Sequence, residues 1–117
     1  MTSTDPLPGS IAFSLYGFVT RAIPLIAPTI LRRRLARGKE DATRWQEKLG
    51  KPSAPRPSGR VVWLHAVGLG EVLALRGLIQ TMADAQPDLQ FLVTSTARSS
   101  AQVMGANLPA NTTHQFL

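Results

Sequence analysis

The sequence predicts an α/β chain in which an apolar segment of helical length and a basic block precede a β-α-β unit with parallel strands. Three observations predict it. A short, continuously apolar and β-rich run, Val61 to Leu64 (VVWL), follows a proline-rich stretch, the pattern of a strand buried on both faces of a parallel sheet. Apolar residues at Val72, Leu75, Leu78, Ile79 and Met82 then recur at helical spacing, and a second β-rich run, Leu89 to Thr94 (LQFLVT), comes after Pro87-Asp88. Residues 11–31 (IAFSLYGFVTRAIPLIAPTIL) are apolar except for a few hydroxyls and Arg21. A length of 117 residues suits one small domain, and a hydrophobic content of 44% is enough to bury a core, which sets disorder aside.

Taken in order, residues 1–10 are polar and rich in proline and glycine, and the apolar segment follows. Its length fits a bilayer, since roughly 20 apolar residues span the hydrocarbon. Arg21 at its centre, and Pro24 and Pro28, which break or kink a helix, count against a clean span and favour equally a helix lying in the membrane interface. Arginines directly after an apolar stretch keep the following chain on the cytoplasmic side, next to anionic lipid. A cleaved signal peptide fits less well, because the positive charge lies after the apolar stretch and no A-x-A-like site follows. The competing reading is a pair of buried helices in a soluble domain.

The charge is concentrated. Thirteen Lys and Arg against seven Asp and Glu give +6, and ten of the thirteen lie between Arg32 and Arg60. That balance points to anionic partners such as lipid headgroups, phosphates or nucleic acid. Nucleic acid is the weakest of these, because an apolar segment rather than an aromatic-studded groove adjoins the arginines. With no cysteine, a disulfide scaffold, a thiolate zinc site and a cysteine nucleophile are excluded, and two distant histidines, His65 and His114, make a histidine metal site improbable.

Arg44 to Gly50 (RWQEKLG) reads as a short helix ending at its glycine, and KPSAPRPSG then places three prolines in nine residues, a linker. The expected organisation is a membrane-associating segment with its basic collar at 1–38, a short helix and linker at 39–59, and an α/β domain from 60 to 117. His65 marks the polar end of the first strand, Ala66 to Gly70 a glycine-containing turn, and Glu71 to Gln86 the amphipathic helix. After the second strand comes the hydroxyl-rich turn from Ser95 to Ser100. Residues 99–108 fit another short helix and Thr113 to Leu117 the start of a third strand. Three parallel strands do not complete a doubly wound sheet, so a truncated piece is expected.

The turn after the first strand is where chemistry is expected. Gly68-Leu69-Gly70 at a strand-to-helix junction suggests a dinucleotide fingerprint, but position 73 is Leu, Glu71 puts negative charge where a pyrophosphate would sit, and no Gly-x-x-x-x-Gly-Lys-Ser/Thr occurs. What remains is a carboxylate at the carboxyl end of a parallel strand, with two glycines keeping its approach open, where open α/β sheets bind ligands. A glutamate in the first turn of a helix is also stabilised by the macrodipole alone, and spacing by itself favours that plain role. His65 reads more readily as a hydrogen-bonded strand-end residue than as a catalyst. Arg98 among hydroxyls reads equally as a phosphate ligand or an exposed loop charge.

His65-Ala66-Val67-Gly68-Leu69-Gly70-Glu71, followed directly by the helix, Pro87-Asp88 and Val93-Thr94-Ser95-Thr96, resembles the amino-terminal domain of the 3-deoxy-D-manno-octulosonic acid (Kdo) transferases of lipopolysaccharide synthesis. Arg44 to Gly50 is similar to that family's stretch ahead of the same strand, and the resemblance runs from about residue 11 to the end. Gly68 stands where the family usually has serine, and Ala97 and Ser100 depart from its threonine-rich turn. The resemblance implies the Rossmann-like amino-terminal half of a two-domain GT-B glycosyltransferase. It implies transfer of Kdo from CMP-Kdo to a lipid A precursor with inversion, at the cytoplasmic face of a bacterial inner membrane and beside its anionic lipids. Glu71 is then the general base, and Gly68, Gly70, Thr96 and Arg98 lie on the acceptor side. No cofactor or metal is implied, and the donor site belongs to a carboxyl-terminal domain that this chain lacks, so the chain alone is expected to be inactive. The alternative is a non-enzymatic, membrane-associated fragment that binds anionic lipid.

Overall fold

The computed structural model describes residues 11–105 and 108–117. Residues 1–10, and residues 106 and 107 of the helix expected at 99–108, lie outside them, and Leu108 is not helical.

Residues Ile11–Ala36 form one helix, α1, of 26 residues, with Pro24 and Pro28 inside it. Of the expected break or kink, the break does not occur. A proline removes the hydrogen bond to the carbonyl four residues back, so the pair, four apart, leaves only the carbonyls of Thr20 and Pro24 without their usual donors. At 1.5 Å per residue the helix is about 39 Å long. None of its residues is buried, and Ile11, Phe13, Phe18 and Leu25 are exposed; among the described residues it is one exposed helix and not a buried pair. It is long and apolar enough to cross a membrane, by length and composition.

α1 ends on Gly38, whose φ of +70° is the left-handed conformation that glycine adopts without strain. Lys39 N–H bonds the Arg34 carbonyl at 3.0 Å and Gly38 N–H the Leu35 carbonyl at 2.9 Å, the paired bonds of a Schellman turn. The chain reverses there into a short 3-10 helix, Trp45–Leu49, which closes on Gly50 with φ +75°.

The α/β unit follows as β1 (Val61–Ala66), α2 (Leu69–Ala85), β2 (Gln90–Ser95), α3 (Arg98–Gly105) and β3 (Thr112–Phe116). Its parallel sheet has the order β1-β2-β3, with Trp63 beside Leu92, Leu92 beside Thr113, and Ala66 beside Ser95. The alternation of side chains across a strand divides the sheet into two faces. Val62, Leu64, Ala66, Phe91 and Val93 point to one face and pack with Val72 and Ile79 of α2 and Met104 of α3. Trp63, Leu92 and Thr113 point to the other, where they and Pro52, Pro55 and Pro57 line a groove of about 410 Å³. Burial of the first strand on both faces was expected, yet Trp63 is 61% exposed. Successive crossovers of one hand put both helices on the same side, so among the described residues the second face meets the proline-rich stretch and, toward the strand ends, Glu47 and Gly50 of the 3-10 helix and its cap. That stretch is tied down: Ser53 N–H donates to Gln115 Oε1 at 3.2 Å.

The radius of gyration is 19.1 Å, against about 13 Å for a compact chain of this length. The excess is α1, which stands off the α/β unit.

Candidate functional site

The carboxyl ends of β1 and β2 lie side by side, Ala66 against Ser95. The turn into α2 and the turn into α3 therefore open at the same end of the sheet. Gly68 caps α2 with extended backbone, φ −95° and ψ 159°. A Cβ at Gly68 or Gly70 would meet nothing within 4 Å; both glycines leave the approach to the turn open. Glu71 is exposed. Its Oε2 accepts the backbone N–H of Val67 at 2.9 Å and of Gly68 at 3.5 Å, so the carboxylate reaches back over the turn as the glutamate of a capping box does. These bonds fix the carboxylate at the mouth of the turn while both fall on one oxygen.

Thr96 is exposed on the neighbouring turn. Arg98 is exposed too, but its Nη1 donates to the Gly38 carbonyl at 2.8 Å, binding the start of α3 to the turn that ends α1. Gly68, Gly70, Glu71 and Thr96 thus share one end of the sheet, whereas Arg98 is engaged with the collar. His65 and Trp63 share the second face. His65 Nδ1 and Trp63 Nε1 each lie 2.9 Å from Thr94 Oγ1, so His65 is the hydrogen-bonded strand residue that its position suggested.

Beside this end of the sheet lies a polar network that the motif reading passed over. Glu47 is buried, with its carboxylate held by Arg44 Nε at 2.9 Å, Arg44 Nη2 at 3.0 Å, the Phe116 N–H at 2.7 Å and the Ser53 hydroxyl. Burial pushes the Glu47 carboxyl up, but the Arg44 and Ser53 hydrogen bonds outweigh it and hold the group below the usual carboxylate range. Arg44 Nη2 also donates to the His114 carbonyl at 2.7 Å and meets His114 Nδ1 at 3.0 Å. A guanidinium only donates, so Nδ1 is the acceptor, His114 is neutral, and its proton sits on Nε2, 2.7 Å from Ser95 Oγ. Burial first, and then the Arg44 charge, lower His114 to about 4.

The Ser95–His114 pair has the spacing of a nucleophile and its base but the wrong protonation. A base must present a bare nitrogen to the hydroxyl, with a carboxylate behind it to stabilise the imidazolium. Here the nitrogen facing Ser95 carries the proton, a cation stands behind the ring, and Ser95 is fully buried. The pair is structural. No group of three metal-ligating side chains occurs among the described residues.

A membrane-length helix leading into a parallel α/β unit, with an exposed carboxylate at the strand ends, is consistent with the amino-terminal domain of a glycosyltransferase. The family model for 3-deoxy-D-manno-octulosonic-acid transferase (kdotransferase) matches residues 43–117, and the chain belongs to that family. It is 41% identical over 109 residues to "Probable 3-deoxy-D-manno-octulosonic acid transferase, mitochondrial" of Arabidopsis thaliana, a match covering 92% of this chain and 24% of that one. It is 33% identical over 103 residues to the 3-deoxy-D-manno-octulosonic acid transferase of Rickettsia bellii, covering 88% and 25%. The Rickettsia felis enzyme of the same name is 44% identical over 57 residues. The chain spans about a quarter of the length of the first two relatives. No solved structure matches it.

Proposed function

We propose that this chain is the amino-terminal, acceptor-side part of an inverting glycosyltransferase that moves Kdo from CMP-Kdo to a lipid A precursor at the cytoplasmic face of a bacterial inner membrane. The observation that carries the reading is the placement of Glu71 in a chain of this family: an exposed carboxylate, held by two backbone N–H groups over an open glycine turn at the carboxyl end of a parallel strand. A sugar hydroxyl is a poor nucleophile while protonated, and a carboxylate facing it takes the proton as the new glycosidic bond forms. CMP departs as a stabilised phosphate anion, so the step depends on the base more than on an acid. Gly68, Gly70 and Thr96 line the approach of the acceptor. Arg98 reaches the same approach only by exchanging its bond to Gly38 for one to a phosphate.

α1 supports the acceptor assignment. An acyl-chained acceptor lies in the bilayer with its phosphates at the surface, where an exposed apolar helix followed by arginines also resides. The test is Kdo transfer by a longer protein that contains these residues, with CMP-Kdo and lipid A precursor in vesicles. Formation of the Kdo-bearing lipid is expected. A folded longer protein that leaves both substrates unchanged overturns the reading.

A further inference from the structure

We infer that Glu40 and Glu47 are positioning residues: together they lock α1 onto the α/β unit and hold the strand ends at one fixed attitude to the bilayer. Insofar as it concerns catalysis, this rests on the function proposed above.

Basic residues after an apolar helix commonly form a solvated tether. Here three of the ten basic residues from Arg32 to Arg60, namely Arg34, Arg44 and Lys48, are tied into ion pairs at the joint. Arg34, at the end of α1, places Nε 2.5 Å from Glu40 Oε1, and Lys48, in the 3-10 helix, places Nζ 2.5 Å from Glu40 Oε2. Glu40 is 3% exposed. One buried carboxylate therefore bridges α1 to the 3-10 helix. Glu47 bridges the 3-10 helix to the sheet, through Arg44, the Phe116 N–H and Ser53. A third link runs from Arg98 to the Gly38 carbonyl. In contrast, Arg32, Arg33, Arg37 and Lys39 are exposed and enter no ion pair among the described residues, which leaves them for lipid phosphates.

A buried carboxylate without its cations is strongly unfavourable. Glu40 keeps both cations only while α1, the Gly38 turn and the 3-10 helix hold one arrangement. Burial pushes its carboxyl up, but the bonds from Lys48 and Arg34 outweigh that and keep it below the usual range. The joint is thus a two-pin clamp, and the direction in which α1 enters the membrane sets the height and tilt of the turn carrying Glu71.

The absence of cysteine makes the joint measurable. Nitroxide labels on Thr29→Cys in α1 and Ala74→Cys in α2, both exposed positions, give the distance between helix and α/β unit for this chain in phosphatidylethanolamine–phosphatidylglycerol vesicles. A single narrow distribution is expected, broadening about twofold in Glu40→Gln, which removes the charge that both pins share. Arg34→Gln, at a half-exposed cation, broadens it less and serves if the first variant does not fold. A broad distribution in the unsubstituted chain, or a narrow one in folded Glu40→Gln or Arg34→Gln, overturns the inference. The second readout uses the longer protein. Glu40→Gln is expected to lower transfer roughly tenfold on acceptor embedded in vesicles while leaving transfer to the same acceptor stripped of acyl chains unchanged, because only the embedded acceptor is fixed relative to the bilayer. Equal loss on both acceptors overturns the positioning role. The distance measurement needs no turnover, so a longer protein without transferase activity refutes the proposed function and leaves the clamp to be judged by the label distances.

Discussion

Glu71 has an observed task and a proposed one, and one substitution separates them. Its carboxylate caps the turn through Val67 and Gly68, and in the proposed reaction it takes the acceptor proton. Glutamine keeps an oxygen for the two N–H groups but is no base, so Glu71→Gln in the longer enzyme is expected to lower single-turnover transfer on the order of 100- to 10,000-fold. CMP-Kdo affinity and melting temperature should barely move. A folded variant with near-normal turnover leaves only the cap, whose loss costs at most about 1 kcal/mol. His114 yields a prediction of another kind. Burial and Arg44 lower it to about 4, against 6.5 for an ordinary histidine. Between those values the unfolded chain binds a proton that the folded chain refuses. Its contribution to stability is therefore full above pH 6.5 and falls as the pH drops toward 4, by on the order of 3 kcal/mol in all. Glu40 and Glu47, held below the usual 4.5, lose their contributions only at lower pH still. The melting temperature should thus decline between pH 6.5 and 4.5 in the natural chain and stay nearly flat in His114→Gln, whose amide both accepts from Arg44 and donates to Ser95. Equal slopes would show that His114 is not the titrating group.

Among the elements, α1 departs most from what its sequence implies. A helix with exposed Ile, Leu and Phe along its length in water is stable only if something apolar covers it, and no element among the described residues covers α1. Residues 11–39 are therefore expected to hold the chain on anionic vesicles by apolar insertion, aided by cations worth about 1 kcal/mol each. Deleting residues 1–39 should abolish sedimentation with phosphatidylglycerol vesicles. Retained binding would mean that the α/β unit carries the affinity. The strands and α2 were legible because their patterns are local: VVWL, the spacing from Val72 to Met82, and LQFLVT each declare a period within a few residues. The position of Glu71 at the start of α2 was legible for the same reason, since the turn that presents it is contiguous. The Arg44–Glu47–His114 network was not, because it joins residues 70 apart in sequence, and nothing near His114 announces its partner. The continuity of α1 through two prolines was left open because a proline's local cost, about 3 kcal/mol, says nothing of the helix on either side. The open second face was missed because a short apolar strand looks the same whether one face is covered or two.

At the scale of the whole molecule, both crossovers load one side of the sheet, and among the described residues the face bearing Trp63, Leu92 and Thr113 lies beneath a proline-rich strap and the end of the 3-10 helix. Catalysis by a glycosyltransferase needs an acceptor side and a donor side closed on each other, with water excluded between them. The proposed base and acceptor approach belong to the sheet end described here. Charge stabilisation for departing CMP needs helix termini or cations aimed at its phosphate. Four exposed cations that enter no ion pair among the described residues, Arg32, Arg33, Arg37 and Lys39, sit at the collar that follows α1 instead. In the relatives, about three quarters of the length lies outside the matched region, and the proposed donor site belongs there. The purified chain is accordingly expected to bind anionic vesicles yet to show neither CMP-Kdo binding by calorimetry nor release of CMP in the presence of lipid A precursor. Adding the remainder of a longer protein as a separate chain should restore transfer only if the two halves associate. Turnover of CMP-Kdo by residues 1–117 alone would place the donor site within this chain and overturn the division of labour between the two halves.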